Sequence, residues 1–233
     1  MITVVTSCIN PEINLNEPKS FLSLKEREDQ TVYSLKKLKD VGLTRIILVD
    51  NSQSYDFSNI KNVVSELEII HLKQYQFKNK GLNELLMLLA IVEELPNDEP
   101  IFKISGRYYP DENFSLDFEN DIDFKIKAYN FESKRGTIST RGYFVKNKKI
   151  YKEFLLKTLN EVFIYPQRIV GFRSLINQIK GIYNPSFSAS LGTSIEFAAA
   201  RVIKNEPYTY TIVPTFGIEG KIAGFADLTF IKE

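Results

Sequence analysis

The sequence predicts an α/β fold in three layers, α/β/α, around a mixed and mostly parallel central sheet. Three observations carry that reading. Apolar runs rich in β-branched residues recur at Ile2 to Cys8, Arg45 to Val49, Ile69 to Leu72 and Ile101 to Ile104, and each stops at polar or turn-forming residues. Helical periodicity separates them, so strand, helix and strand follow one another. That succession implies right-handed parallel crossovers with helices on the faces of the sheet. After Asn113 the pattern turns to alternation of apolar and polar residues, the mark of antiparallel strands with one face toward water.

Taken in order, Ile2 to Cys8 is the first strand and passes into a polar loop from Asn10 to Lys19. Ser23-Leu-Lys-Glu26 is a capping box, and Val32, Leu35, Leu38 and Val41 then recur every three residues up to Gly42, so a helix is expected from about Ser23 to Val41. The second strand ends at Asp50-Asn51-Ser52, residue types that favour turns and leave a carboxylate at the strand's C-terminal end. Phe57 to Leu67 has a weaker helical period. Asn79 to Leu95 has a strong one, capped by Asn79 and stopped before Pro96. The fourth strand follows. Ile122 to Phe131 and Thr137 to Val145 form the antiparallel pair, with Lys134-Arg-Gly136 as the turn between them. Helices are expected at Asn147 to Val162, Gly171 to Ile179 and Gly192 to Ile203, and short strands in a tail from Thr209 to Phe230 cut by Pro214, Gly217, Gly220 and Gly224. No repeat, low-complexity tract or Gly/Ser linker interrupts the chain, so a single domain over residues 1–233 is expected.

Composition narrows the functional classes. The 233 residues are 43% hydrophobic and 12% aromatic, ample for one core, and 30 basic against 29 acidic residues leave a net charge of +1. No global field favours nucleic acid or an anionic membrane, so any anion must be bound locally. One cysteine, Cys8, excludes an intrachain disulfide and a cysteine-rich zinc site and suits a reducing compartment. The start lacks the features of a signal peptide, and the longest apolar run, Leu85 to Val92, is far short of the roughly twenty residues of a spanning helix. The expectation is a cytoplasmic protein without a transmembrane segment, with at most peripheral contact at the inner face of the membrane.

The stretch from Ile101 to Asn113 concentrates the chemistry. Ile101, Phe102 and Ile104 form a strand, Ser105-Gly106 break it, and Arg107 follows at the point where an open parallel sheet presents its strand ends to a ligand. A permanent forked charge suits phosphate oxygens, and Gly106 admits close approach, which makes a diphosphate the expected guest. The competing reading is a surface arginine after a strand.

Thr3-Val-Val-Thr-Ser7, Ile46-Ile-Leu-Val-Asp-Asn-Ser52, Asn79-Lys-Gly-Leu-Asn83 and Phe102-Lys-Ile-Ser-Gly-Arg-Tyr108, in that order, resemble the GT-A fold glycosyltransferases. The likeness is strongest to the family-two-like enzymes of bacterial surface polysaccharide synthesis, and Lys103-Ile-Ser-Gly-Arg-Tyr108 is similar to a stretch in capsule and lipopolysaccharide transferases. The resemblance covers about the N-terminal two thirds. It implies a Rossmann-like domain with a nucleotide-binding half over 1–113 and an acceptor-binding half over 114–233. The implied partners are a nucleoside diphosphate sugar donor and a glycan or lipid-linked acceptor. One departure stands out. Most of these enzymes hold Mg²⁺ or Mn²⁺ with an Asp-x-Asp pair after strand four, where this chain has Ser105-Gly-Arg107. A divalent ion needs oxygen ligands and a guanidinium repels it. The favoured expectation is that no cofactor is required and that Arg107, with Lys80, neutralises the diphosphate. The other is that Asp111, Glu112 and Asn113 supply displaced ligands.

Residue by residue, the donor-binding candidates are Thr6, Ser7, Asp50, Asn51, Lys80, Gly81, Ser105, Gly106 and Arg107. Thr6 and Ser7 can bond the base or ribose, or simply satisfy the end of strand one. Asp50 can accept from base or ribose protons, or cap a turn. Lys80 and Gly81 open a helix whose free amides suit phosphate, or Lys80 is a solvated lysine. Tyr108 and Tyr109 can stack on an acceptor or sugar ring, or pack. The resemblance implies an acidic residue on a late helix facing the acceptor hydroxyl, which points to Glu196 as catalytic base with Asp111 second; a first-turn glutamate favouring the helix dipole is the competing reading. His71 and Cys8 read as structural. The run Lys146-Asn-Lys-Lys149 with Lys152 can face an anionic acceptor or solvate a helix start. A nucleotidyltransferase is disfavoured because Ser7 to Lys19 lacks a glycine- and arginine-rich loop, and a silent nucleotide- or glycan-binding module is the rival from another class.

Overall fold

Ser23 and Glu26 close the capping box: the serine side chain accepts from the Glu26 amide while the Glu26 carboxylate accepts from the Ser23 amide, and the helix α1 (Leu24–Asp40) follows. This is a computed structural model, and it describes residues 1–11, 22–63, 67–73, 77, 79–164, 172, 175, 176, 179, 193–221 and 230–233. Most of the helix expected at Gly171 to Ile179, the start at Gly192 and much of the loop to Lys19 lie outside the described residues. The other elements in the first half are β1 (Ile2–Ser7), β2 (Ile46–Asp50), α2 (Ser58–Val63), β3 (Leu67–His71), α3 (Lys80–Ile91), β4 (Ile101–Ser105) and β5 (Tyr108–Pro110). The second half adds β6 (Phe124–Tyr129), β7 (Thr137–Val145), α4 (Lys148–Ile164), α5 (Ile195–Asn205), β8 (Tyr210–Ile212), β9 (Ile218–Lys221) and β10 (Phe230–Lys232).

Seven strands form the main sheet in the order β3-β2-β1-β4-β7-β6-β8. The first four are parallel; β7 runs antiparallel to β4 and β6 antiparallel to β7; β8 joins parallel to β6. The α/β fold with a mixed, mostly parallel sheet and helices on both sides is therefore the architecture found. Side chains alternate between two cores, as the pleat requires. Val4, Ile47, Val49 and Ile101 pack with residues of α3, α4 and α5 on one face, while Val5, Ile46, Leu48, Phe102 and Ile104 pack with Leu35 and Leu38 of α1 and Ile60 of α2 on the other.

Three local expectations need correction. The helix read from Phe57 to Leu67 is described over Ser58–Val63, and Leu67 belongs to β3, where it pairs with Ile46 in the five-residue register. The strand read from Ile122 to Phe131 ends at Tyr129, where Asn130 takes a left-handed backbone with φ 47°, a conformation asparagine tolerates. The tail divides between two sheets: β8 extends the main one, and β9 pairs with both β10 and the unexpected strand β5 in a small sheet of its own.

Candidate functional site

The order of the strands creates a switch between β1 and β4. From β1 the chain moves outward through β2 to β3, then returns to place β4 on the other side of β1. Loops leaving the two strands diverge there, and the crevice outside the carboxyl ends is where an open α/β sheet receives a ligand. Thr6 lies opposite Ser105 in the last rung between them. Beyond that rung a cleft of about 320 Å³ opens, lined by the ends of both strands, the first turn of α1, the N-termini of α3 and α5, and Thr140 and Arg141 of β7.

The floor of the cleft is a polar network set inside apolar secondary structure. Lys103 lies on β4, on the face toward α3 and α5, and its side chain is 0% exposed. Its ammonium forms an ion pair with Glu84 of α3 and donates to the Ser105 hydroxyl at 3.1 Å and to the Thr140 carbonyl. The same Glu84 oxygen, Oε1, accepts from the Thr6 hydroxyl at 2.7 Å and from the Ser105 hydroxyl at 2.9 Å. Burial works to raise the Glu84 pKa, but the Lys103 charge and these three hydrogen bonds hold it below the ordinary carboxylate range. Burial in turn pushes the Lys103 pKa down, against the pull of Glu84. The outcome is an ammonium that persists because a carboxylate stands beside it, and two hydroxyls, Thr6 and Ser105, whose protons are already given away. Toward a ligand, those hydroxyls can only accept.

Four cations surround this floor. Arg107, after β4, lines the cleft, and its side chain makes no hydrogen bond or ion pair among the described residues. Arg27, in the first turn of α1, is only 9% exposed; its Nη1 donates to the Cys8 carbonyl at 2.7 Å. Arg141 donates through Nε to the Tyr108 hydroxyl at 3.0 Å and pairs with the buried carboxylate of Glu233. Lys80, at the exposed first position of α3, completes the set. Opposite them stands Glu196, in the first turn of α5, half-buried and without an ion pair or hydrogen bond from its carboxylate among the described residues. Its backbone is placed by the Ser194 cap, whose hydroxyl accepts from the Phe197 amide at 3.3 Å.

The structure thus brings Thr6, Ser7, Asn51, Lys80, Gly81, Ser105, Gly106, Arg107, Tyr108 and Glu196 to one cleft. It places Asp50, Tyr109 and Asp111 elsewhere. Asp50 is fully buried behind the end of β1, where it accepts from the Ser7 hydroxyl at 2.5 Å, the Ile9 amide at 3.1 Å and the Ser52 amide at 2.8 Å. Those donors tie the ends of β1 and β2 together behind the cleft. Tyr109 turns to the far side of β5 and meets the Tyr33 ring edge-on at 4.7 Å. Asp111 belongs to the turn after β5, where it accepts from the Asn113 amide at 2.8 Å. The glycines serve packing: a Cβ on Gly81 would lie 2.6 Å from Ile195, and one on Gly106 3.3 Å from the Thr6 carbonyl. Cys8, read as a core residue, sits half-buried at the cleft wall. His71 does take a structural position, with Nε2 2.5 Å from the Ser52 carbonyl. In the basic run, Lys148 and Lys152 reach Glu93.

Arg27, Glu84, Lys103, Thr140 and Arg141 were not singled out from the sequence. Two of them left a signal, since Lys103 interrupts Ile101-Phe-Lys-Ile and Glu84 interrupts Leu82-Asn-Glu-Leu-Leu86. Among the described residues no three His, Cys, Asp or Glu side chains are grouped so as to hold a metal ion. Of the two cleft carboxylates, Glu84 fits one poorly, since it is engaged by Lys103 and the Ser105 oxygen beside it is already bonded to both.

No family model matches this chain. No curated protein matches it either. Among solved structures, the nucleoside-diphosphate-sugar pyrophosphorylase from Vibrio cholerae RC9 superposes with a TM-score of 0.50 at 11% identity, over 96% of this chain and 96% of that one. The CTP:phosphocholine cytidylyltransferase from Streptococcus pneumoniae matches with a TM-score of 0.46 at 12% identity, over 93% and 91%. A galactosyltransferase in complex with donor and acceptor sugar analogues matches with a TM-score of 0.46 at 10% identity, over 94% and 86%. The pyrophosphorylase shares the fold along nearly the whole of both chains, and a shared fold by itself assigns no activity.

Proposed function

We propose that this protein is a glycosyltransferase that moves a sugar from a nucleoside diphosphate sugar to a glycan or lipid-linked glycan acceptor. The observation that supports the reading is one cleft holding a guanidinium, Arg107, and a carboxylate, Glu196, neither with a hydrogen bond or ion pair to its charged group among the described residues. Sugar transfer needs both kinds of group. The bond from the anomeric carbon to the diphosphate breaks with its electron pair leaving on a phosphate oxygen, and Arg107 with Lys80 neutralises that charge. The acceptor hydroxyl forms the new bond to the anomeric carbon, and Glu196 takes its proton. Thr6, Ser7 and Asn51 lie where the nucleoside would sit. The Thr6 and Ser7 hydroxyls donate to Glu84 and Asp50, so they are left as acceptors for ribose or base protons. Tyr108 is only 4% exposed, and its hydroxyl accepts from Arg141, so it serves the cleft by positioning that guanidinium. On this reading the cations take the part that a divalent ion plays in the enzymes the sequence resembles, and the role belongs to peripheral or soluble glycan assembly.

The test is turnover. Purified protein is given UDP-, GDP-, CMP- and dTDP-sugars with bacterial glycan acceptors, and nucleotide release is measured with and without EDTA. A parallel arm supplies nucleoside triphosphates with sugar phosphates and measures pyrophosphate. Release of nucleotide that survives EDTA is expected, and Glu196→Gln is expected to lower kcat about 10²- to 10⁴-fold with donor affinity retained. Activity restored only by Mn²⁺ would return the metal to the mechanism. Pyrophosphate release alone would make the protein a nucleotidyltransferase, and no turnover with intact nucleotide binding would make it a silent module.

A further inference from the structure

Arg27 is a second guanidinium in the cleft that the sequence did not reveal. It reaches the cleft from the first turn of α1, immediately after the capping box, and is 9% exposed. One nitrogen, Nη1, donates to the Cys8 carbonyl at 2.7 Å, while Nε is buried with no hydrogen-bond acceptor among the described residues. No carboxylate forms an ion pair with it among the described residues. Burial first and the Arg107 charge second depress the Arg27 pKa, against a smaller upward pull from Cys8 and the Asp50 carboxylate. Two guanidiniums thus line one cleft at the mouth of β1 and β4, one of them largely desolvated, and neither has an ion-paired carboxylate among the described residues. A buried charge left unpaired is costly, and a buried polar nitrogen without an acceptor adds to that cost. An arrangement of this kind is stable when the missing acceptor is supplied from outside.

We propose that Arg27 and Arg107 together form the seat of a diphosphate, with Arg27 as the buried prong and Arg107 as the exposed one. The proposal deepens the donor-binding reading of this cleft and rests on it for the identity of the anion's carrier. The guanidinium fork matches two phosphate oxygens in one plane, which a lysine does not. Because Arg27 also holds the Cys8 carbonyl, an occupied seat ties the diphosphate to the segment that leaves β1.

Inorganic pyrophosphate is the probe, since it carries no base or sugar. Titration calorimetry is run on the wild-type chain and on Arg27→Met, Arg27→Lys and Arg107→Ala, with circular dichroism melts of each. The wild type is expected to bind, Arg27→Met and Arg107→Ala to bind at least tenfold more weakly, and Arg27→Lys at least threefold more weakly, while the melts of Arg27→Lys and Arg107→Ala stay native-like. If Arg27→Met does not fold, Arg27→Lys decides. Affinity within twofold of wild type in the folded Arg27 variants overturns the seat, and so does a wild-type chain that ignores pyrophosphate. Arginine-dependent pyrophosphate binding in a protein that transfers no sugar keeps the seat and removes the glycosyltransferase reading. Sugar transfer with pyrophosphate affinity indifferent to Arg27 does the reverse.

Discussion

Glu84 shows how a single residue sets the character of the cleft. Its Oε1 gathers Thr6 of β1 and Lys103 and Ser105 of β4, so two neighbouring strands depend on one ionised carboxylate. Its folded pKa lies below the ordinary 4.5, so the stability it contributes is present above about pH 4.5 and is lost as the pH falls through the folded value. Urea midpoints measured from pH 7 to pH 3 should therefore show Glu84→Gln less stable than wild type at neutral pH, by about 3–5 kcal/mol if Lys103 keeps its charge, with the gap closing on the acid side. At Arg107 the expectation concerns binding. Replacing it with alanine should weaken nucleoside diphosphate binding by about 1–3 kcal/mol, read by calorimetry, with little change in melting temperature because the side chain has no hydrogen-bond or ion-pair partner to lose among the described residues. Unchanged affinity would take Arg107 out of the site.

Helices α3 and α5 meet at their N-termini, and that contact is made by the absence of a side chain. Gly81 leaves room for Ile195, whose Cγ2 would be 2.6 Å from any Cβ placed there. Gly81→Val should separate the two helix starts, lower stability by about 1–3 kcal/mol in chemical denaturation and reduce turnover along with it, since Lys80 and Glu196 sit on the two elements pushed apart. Elements of this sort were largely legible in the sequence. Periodicity and caps located β1, α1, α3, β4, β7 and α4 well, because each is long or ends on a residue with one strong preference, such as Ser23 or Asn79. One short strand was not legible. Tyr108–Pro110 has no period to read and becomes a strand only because β9, more than a hundred residues later, pairs with it. The same limit governed the site. Residues at strand and helix ends were found from local pattern, whereas Arg27 and Arg141 depend on which helix face and which strand turn toward the cleft, and that is decided by packing. Asp50 shows the converse: a carboxylate at a strand end looks alike whether it meets a ligand or holds the Ser7, Ile9 and Ser52 donors.

At the scale of the whole molecule, the cleft draws on α1, β1, β4, α3, β7 and α5, so occupancy is linked to global folding. A nucleoside diphosphate that binds only the native chain should stabilise it by about 2.7 kcal/mol at a hundred times its Kd, and a thermal-shift series against UDP, GDP, CDP and dTDP should single out one base by its upward displacement. Equal shifts with all four would indicate that the phosphates alone are recognised. The small sheet has a reach of its own. Gly220 of β9 pairs with Tyr108, and a Cβ there would press to 2.3 Å from the Arg107 carbonyl oxygen. A methyl group added in the tail therefore shoves the backbone that aims a guanidinium across the molecule. Ligand preference in this protein can drift through changes at a site that never touches the ligand, and libraries confined to the pocket wall would miss that steering position.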